Sequence, residues 1–132
     1  MATRLEQRVT TLPLIRIAYL GGVLLVGGVS YYMHHGGGAV AAPGAEQQGM
    51  LRTVGYAIWG GAIAGMLVLR SVFGRAIELG RRANLVPIGW AMGEMVALYG
   101  AVIYFLTGEW QLYIAGLVVM VVSFSLFPIP RR

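Results

Sequence analysis

Apolar residues along the 132-residue chain are gathered into four long runs, separated by short polar or glycine-rich connections. A helix needs about 20 apolar residues to cross the hydrocarbon core of a bilayer. By that measure the runs predict transmembrane helices over residues 12–33, 53–73, 86–106 and 112–127. We therefore expect an all-α integral membrane protein in which residues 1–132 form a single domain of four transmembrane helices.

The connections between these runs are too short to hold a separate soluble domain. Residues 34–49 are rich in glycine, alanine and proline, which predicts a flexible loop. Residues 75–85 are strongly charged, and we expect Gly80 to end helix 2 and Pro87 to stand in the first turn of helix 3. Residues 107–109 predict a tight hairpin between helices 3 and 4.

The arginines predict an orientation in the membrane. Apart from Arg52, they fall before or early in helix 1, around the connection between helices 2 and 3, or at the end of the sequence (Arg4, Arg8, Arg16, Arg70, Arg75, Arg81, Arg82, Arg131 and Arg132). The positive-inside rule places that side in the cytoplasm. Both termini are then cytoplasmic, as an even number of spans requires, and we expect a multi-pass protein of the cell inner (plasma) membrane.

Composition agrees with a membrane location and argues against several functions. Hydrophobic residues make up 58 % of the chain and charged residues 11 %, whereas a soluble domain has about 25 % charged residues. The absence of cysteine excludes disulfides, thiolate metal sites and cysteine nucleophiles. No phosphate-binding loop, Ser-His-Asp grouping or zinc signature occurs. We expect no enzymatic activity, no cofactor, no metal and no nucleic-acid partner; the net charge of +5 reflects orientation at the bilayer.

Small residues recur at four-residue spacing in two of the predicted helices. Gly61 and Gly65 share one face of helix 2, and Gly89 and Gly93 share one face of helix 3. Transmembrane helices associate through close backbone approach at such positions. We expect these two faces to pack together, while helix 4 faces lipid or another subunit.

Glu94 is the one acidic residue inside a predicted span, near mid-membrane. An ionised carboxylate there costs about 2.5–3.5 kcal/mol on insertion scales, so such a residue suggests a function. Three interpretations are open: it carries a proton or cation; it pairs with Arg16; or it accepts hydrogen bonds from Tyr19, Tyr56 or a partner subunit. Trp90, one turn earlier, is expected to shield it.

The segment around Glu94 resembles the carboxylate helix of the ATP synthase proteolipid, subunit c. The resemblance covers about residues 55–107 and is carried by the run GEMVALYGAVIYFL (93–106) and by the glycine-rich run GGAIAG (60–65). It implies that Glu94 is the proton- or cation-carrying group. Helices 1 and 4 have no counterpart in the two-helix proteolipid, and four-helix rotary proteolipids carry the carboxylate in the last helix, so the resemblance does not extend to a rotor ring.

Together these observations predict a small non-catalytic integral-membrane subunit of a larger inner-membrane complex, of an energy-transducing kind, with Glu94 as its functional carboxylate. The expected partners are the lipid bilayer and other membrane-protein subunits. The alternative is a self-sufficient homo-oligomeric transporter of protons or cations that uses Glu94. Size and span count also resemble those of the small multidrug-resistance transporters, although these carry their key glutamate in the first helix.

Overall fold

The computed structural model describes residues 3–38 and 40–130, and within them the chain forms four α-helices. These are α1 (Arg4–His35), α2 (Ala45–Arg75), α3 (Leu79–Thr107) and α4 (Gln111–Leu126). The first three are long and apolar enough to cross a membrane. The 16 residues of α4 extend about 24 Å at 1.5 Å per residue, which is shorter than a bilayer core of about 30 Å. Arg131 and Arg132 lie outside the described residues.

Two helices begin earlier than their apolar runs because polar side chains cap their N-termini. At the start of α1, the backbone N–H of Glu6 donates to Thr3 Oγ1 at 3.3 Å, and the Glu6 carboxylate accepts from the Thr3 N–H at 2.8 Å. At the start of α2, the Gly44 N–H donates to Gln47 Oε1 at 3.2 Å. The expected loop over residues 34–49 is therefore shortened, and α2 begins within it.

The connection between α2 and α3 also differs from the expectation. Since α3 begins at Leu79, Gly80 lies inside α3 and does not end α2, and Pro87 lies in the third turn of the helix. The chain turns at Ala76–Glu78, where the Nε–H of Arg82 donates to the Ala76 carbonyl at 2.6 Å. This hydrogen bond from the side chain of Arg82 fastens the end of α2 to the first turn of α3.

The central helix of the fold is α3, which packs against each of the other three, while those three make few contacts with one another. Half of its most apolar stretch is buried, against 17 % in α1 and in α2. Contacts from Arg8 to Asn84 and from His34 to the Phe105 carbonyl show that α1 and α3 run parallel. The helices alternate in direction, so the two described ends of the chain lie at the same end of the protein.

The tightest helix contact joins α3 to α4, through glycines that allow the backbones to meet. A Cβ added to Gly116 would lie 2.7 Å from the Cα of Ala97, and one added to Gly100 would lie 2.7 Å from the Cα of Tyr113. The reversal between the two helices uses Gly108, which adopts the left-handed conformation with φ 76°. One face of α4 is therefore an internal contact, which the expectation that it faces lipid or another subunit did not include. The other side of α4 is exposed, at Ile114, Val118 and Val121.

The expected pairing of the two small-residue faces is wrong. Gly93 meets Ser123 and Met120 of α4, and Gly89 meets the Phe127 ring, so this face of α3 accommodates α4. On α2, a Cβ at Gly61 would meet nothing within 4 Å, while one at Gly65 would lie 3.1 Å from the end of the Met92 side chain. The contact between α2 and α3 instead includes two large α3 side chains, Met92 and Tyr99, which lie over the α2 glycines Gly65 and Gly55.

Candidate functional site: the carboxylate of α3

Glu94 lies at the centre of α3, on the side of that helix that faces α1. It is the sixteenth of the 29 residues of α3, and its side chain is half-buried. A Cβ added to Gly22 of α1 would be 3.9 Å from Glu94 Oε1. The missing side chain at Gly22 leaves room for the carboxylate between the two parallel helices.

The structure does not bring Arg16 to Glu94. Arg16 precedes Gly22 by six residues, which places its backbone about 9 Å further along α1. Its guanidinium lies over the Phe124 ring, 4.6 Å from the centroid, and 6.0 Å from the centroid of the Trp90 ring. Within residues 3–38 and 40–130, neither Arg16 nor Glu94 forms an ion pair. The permanent-pair interpretation is therefore not realised in this chain.

The two tyrosines do not provide hydrogen bonds to Glu94 either. Tyr19 is partly buried against the core, and Tyr56 is 78 % exposed. In the part of the chain that the structure describes, no side-chain or backbone donor is within hydrogen-bond distance of the Glu94 carboxylate. The fold therefore supplies neither the pairing with Arg16 nor the hydrogen bonds from Tyr19 and Tyr56. The interpretations left for Glu94 are a proton, a cation or a hydrogen bond from another subunit.

Trp90 is positioned to hold α4 rather than to cover the carboxylate. Its side chain is fully buried, and its indole N–H donates to the Phe127 carbonyl at 3.0 Å. The ring meets Phe124 edge-on, with centroids 5.4 Å apart. Because this hydrogen bond satisfies a carbonyl at the C-terminal end of α4, Trp90 fixes that end against α3.

A groove that the sequence did not reveal lies between the N-terminal half of α2 and the C-terminal half of α3. It has a volume of about 490 Å³ and is lined by Tyr56, Trp59 and Tyr99, with Arg52 and Glu109 at its polar edge. Tyr99 donates a hydrogen bond to the Leu51 carbonyl, while the buried Trp59 Nε1–H has no acceptor in the described chain. Periodicity could not reveal this groove, since its walls come from helices whose relative rotation the sequence leaves open.

The described residues contain no group of three or more His, Asp or Glu side chains that could hold a metal ion. A single carboxylate in an apolar setting can still exchange a proton with a water or a neighbouring group, or neutralise one monovalent cation. The chemistry open to Glu94 is therefore the binding and release of a proton or a monovalent cation.

No protein-family model matches the chain, and neither a curated protein nor a solved structure is significantly similar to it.

Proposed function

We propose that the protein is a small non-catalytic integral-membrane subunit of a larger inner-membrane complex, of an energy-transducing kind, and that Glu94 carries a proton or a cation for that complex. The observation that carries this proposal is the Glu94 carboxylate itself, placed mid-helix on α3 with no hydrogen-bond or ion-pair partner among the described residues. A carboxylate that only stabilised the fold would be expected to have such a partner.

The shape of the protein supports a role as a subunit. The connections at residues 36–44, 76–78 and 108–110 offer no soluble domain that could capture a substrate. In addition, α3 keeps one apolar face uncovered, where Ile88, Met95 and Val102 are 48 %, 45 % and 44 % exposed. Their seven-residue spacing places them on one side of the helix, so a neighbouring membrane helix could lie along it.

We further propose that α4 also crosses the membrane and that both termini are cytoplasmic. The alternating helix directions support this topology because they gather Arg8, Arg75 and Arg82 at one end of the protein. Arg52 lies at the other end, in the first half of α2. The positive-inside rule then orients the arginine-rich end toward the cytoplasm.

A homo-oligomeric proton or cation transporter is the second candidate. The uncovered face of α3 favours it, since a second copy of the chain could lie there. This candidate requires the purified chain to move ions without other subunits, which the first candidate does not.

The test compares Glu94→Gln with Glu109→Gln, a matched change at an exposed carboxylate in the connection between α3 and α4. We expect Glu94→Gln to assemble normally, as judged on native gels, and to abolish proton- or cation-coupled activity of the complex, while Glu109→Gln retains it. The amide keeps the shape of the side chain but cannot take up and release a proton. Full activity in Glu94→Gln would refute the carrier role.

Reconstitution of the purified chain in vesicles separates the two candidates. A pH-sensitive dye inside the vesicles reports proton movement when a pH gradient is imposed. A subunit of a larger complex should give no flux above empty vesicles, and its native form should contain other polypeptides in fixed ratio. Flux from the chain alone that Glu94→Gln abolishes would establish the transporter instead.

A further inference from the structure

A second cavity lies at the opposite end of the protein from the groove described above, beside the segment 128–130 that follows α4. Its volume is about 610 Å³. The walls come from α1, α2, α3, α4 and the segment after α4, and consist of Arg16, Phe73, Arg82, Phe124, Pro128, Ile129 and Pro130. We call this the basic cavity. The basic cavity is separate from the surroundings of Glu94. The arginines could orient the protein in the membrane without forming such a cavity.

The arginines of the basic cavity are held over aromatic rings. The Arg16 guanidinium lies 4.6 Å from the centroid of Phe124, and the Arg82 guanidinium lies 5.6 Å from that of Phe73. Arg70, from the last turns of α2, approaches the same Phe73 ring at 5.6 Å. A guanidinium placed over an aromatic face keeps the N–H groups in its own plane available to bind an anion.

The positive charge of the basic cavity is not neutralised by the described part of the chain. Neither Arg16 nor Arg82 has a carboxylate within ion-pair distance there. Of the two, only Arg82 makes a hydrogen bond, which it donates to the Ala76 carbonyl. None of the residues lining the cavity is acidic. Two cations that line one cavity favour an anion there, and guanidinium groups fit phosphate oxygens particularly well through paired hydrogen bonds.

We propose that the basic cavity binds the phosphate group of an anionic phospholipid, with Arg16 and Arg82 as the anion-binding residues. The other walls are apolar, which suits the glycerol and first acyl carbons of a lipid and offers nothing to a free phosphate ion. The residues beside Arg16 on α1, Leu14 and Ile17, are both 66 % exposed, so apolar surface for acyl chains adjoins the cavity. A bound lipid of this kind links α1 to the ends of α2, α3 and α4.

Arg16→Gln is the best variant for testing the proposal, since Arg16 makes no hydrogen bond within the described chain that its loss would break. The matched control is Arg52→Gln, which removes an arginine from the groove at the other end. The full chain in detergent is titrated with phosphatidylglycerol or with phosphatidylcholine of the same acyl composition, and bound lipid is counted by native mass spectrometry. Inorganic phosphate serves as the soluble competitor.

We expect the unaltered protein to prefer phosphatidylglycerol. Arg16→Gln should weaken that binding about fivefold, which is the effect of losing one arginine near an anionic lipid headgroup. Arg52→Gln should leave it unchanged. Equal binding of the two lipids by the unaltered protein, or equal losses in both variants, would overturn the proposal. Displacement of the lipid by inorganic phosphate at equal concentration would also overturn it, in favour of a free-anion site. If Arg16→Gln does not fold, the comparison of the two lipids on the unaltered protein decides.

Discussion

Replacing Gly116 with alanine tests whether close backbone approach between α3 and α4 stabilises this fold. The new Cβ would lie 2.7 Å from the Cα of Ala97 and 2.9 Å from the Val96 carbonyl oxygen. Favourable contacts between such atoms begin near 3.5 Å, so the helices must separate by close to an ångström. Because both neighbours are backbone atoms of a buried helix, no side chain can rotate to make room.

The loss of stability in Gly116→Ala is estimated by comparison with Gly61→Ala. Gly61 lies in α2, and a Cβ added to it would meet nothing within 4 Å. Both changes raise the intrinsic helix propensity by about 1 kcal/mol, so this gain cancels in the difference. Overpacking of a well-packed contact costs about 1–3 kcal/mol. We expect Gly116→Ala to be less stable than Gly61→Ala by that amount.

The assay is unfolding of the purified protein in mixed micelles by increasing fractions of sodium dodecyl sulfate, followed by circular dichroism. Gly61→Ala should unfold at or above the midpoint of the unaltered protein, and Gly116→Ala below it. Gly100→Ala provides a second measurement of the same contact, since its Cβ would lie 2.7 Å from the Cα of Tyr113. Identical midpoints for Gly116→Ala and Gly61→Ala would show that α3 and α4 do not pack in this way.

Two other predictions concern the turn and the topology. Gly108→Ala places a Cβ on a residue with φ 76° and should lower the free energy of unfolding by about 1–2 kcal/mol in the same micelle titration; a stability equal to that of the unaltered protein would contradict the left-handed turn. For the topology, Ala45→Cys should react with an impermeant thiol reagent added outside cells, while Ile77→Cys, whose native side chain is 96 % exposed, should react only after the membrane is opened. The reverse pattern would invert the proposed orientation.

The distribution of apolar residues predicted the helical class and the number of helices, because each run is long and its breaks are made of glycine, proline and charge. It was less informative about helix ends. Local capping at Thr3 and Gly44 extends α1 and α2 into polar sequence, and α3 continues through Pro87. Hydropathy measures the apolar part of a helix, whereas hydrogen bonds decide where the helix starts and stops.

Among the candidate site residues, the sequence singled out Glu94 because a charge inside an apolar run is costly wherever the helix packs. It could not identify the surroundings of Glu94. Whether Arg16 reaches the carboxylate depends on the register of α1 against α3, and in the folded chain that register sets Gly22 beside Glu94 and Arg16 over Phe124.

The sequence by itself therefore determined which residues are apolar, where the small residues recur and that one carboxylate stands among them. Only the tertiary structure decided that the small face of Gly89 and Gly93 receives α4 and not α2. The physical reason is that periodicity defines a face of a helix but not its partner. The partner follows from the rotation and register of neighbouring helices, and here the left-handed turn at Gly108 lets α4 fold back directly along α3.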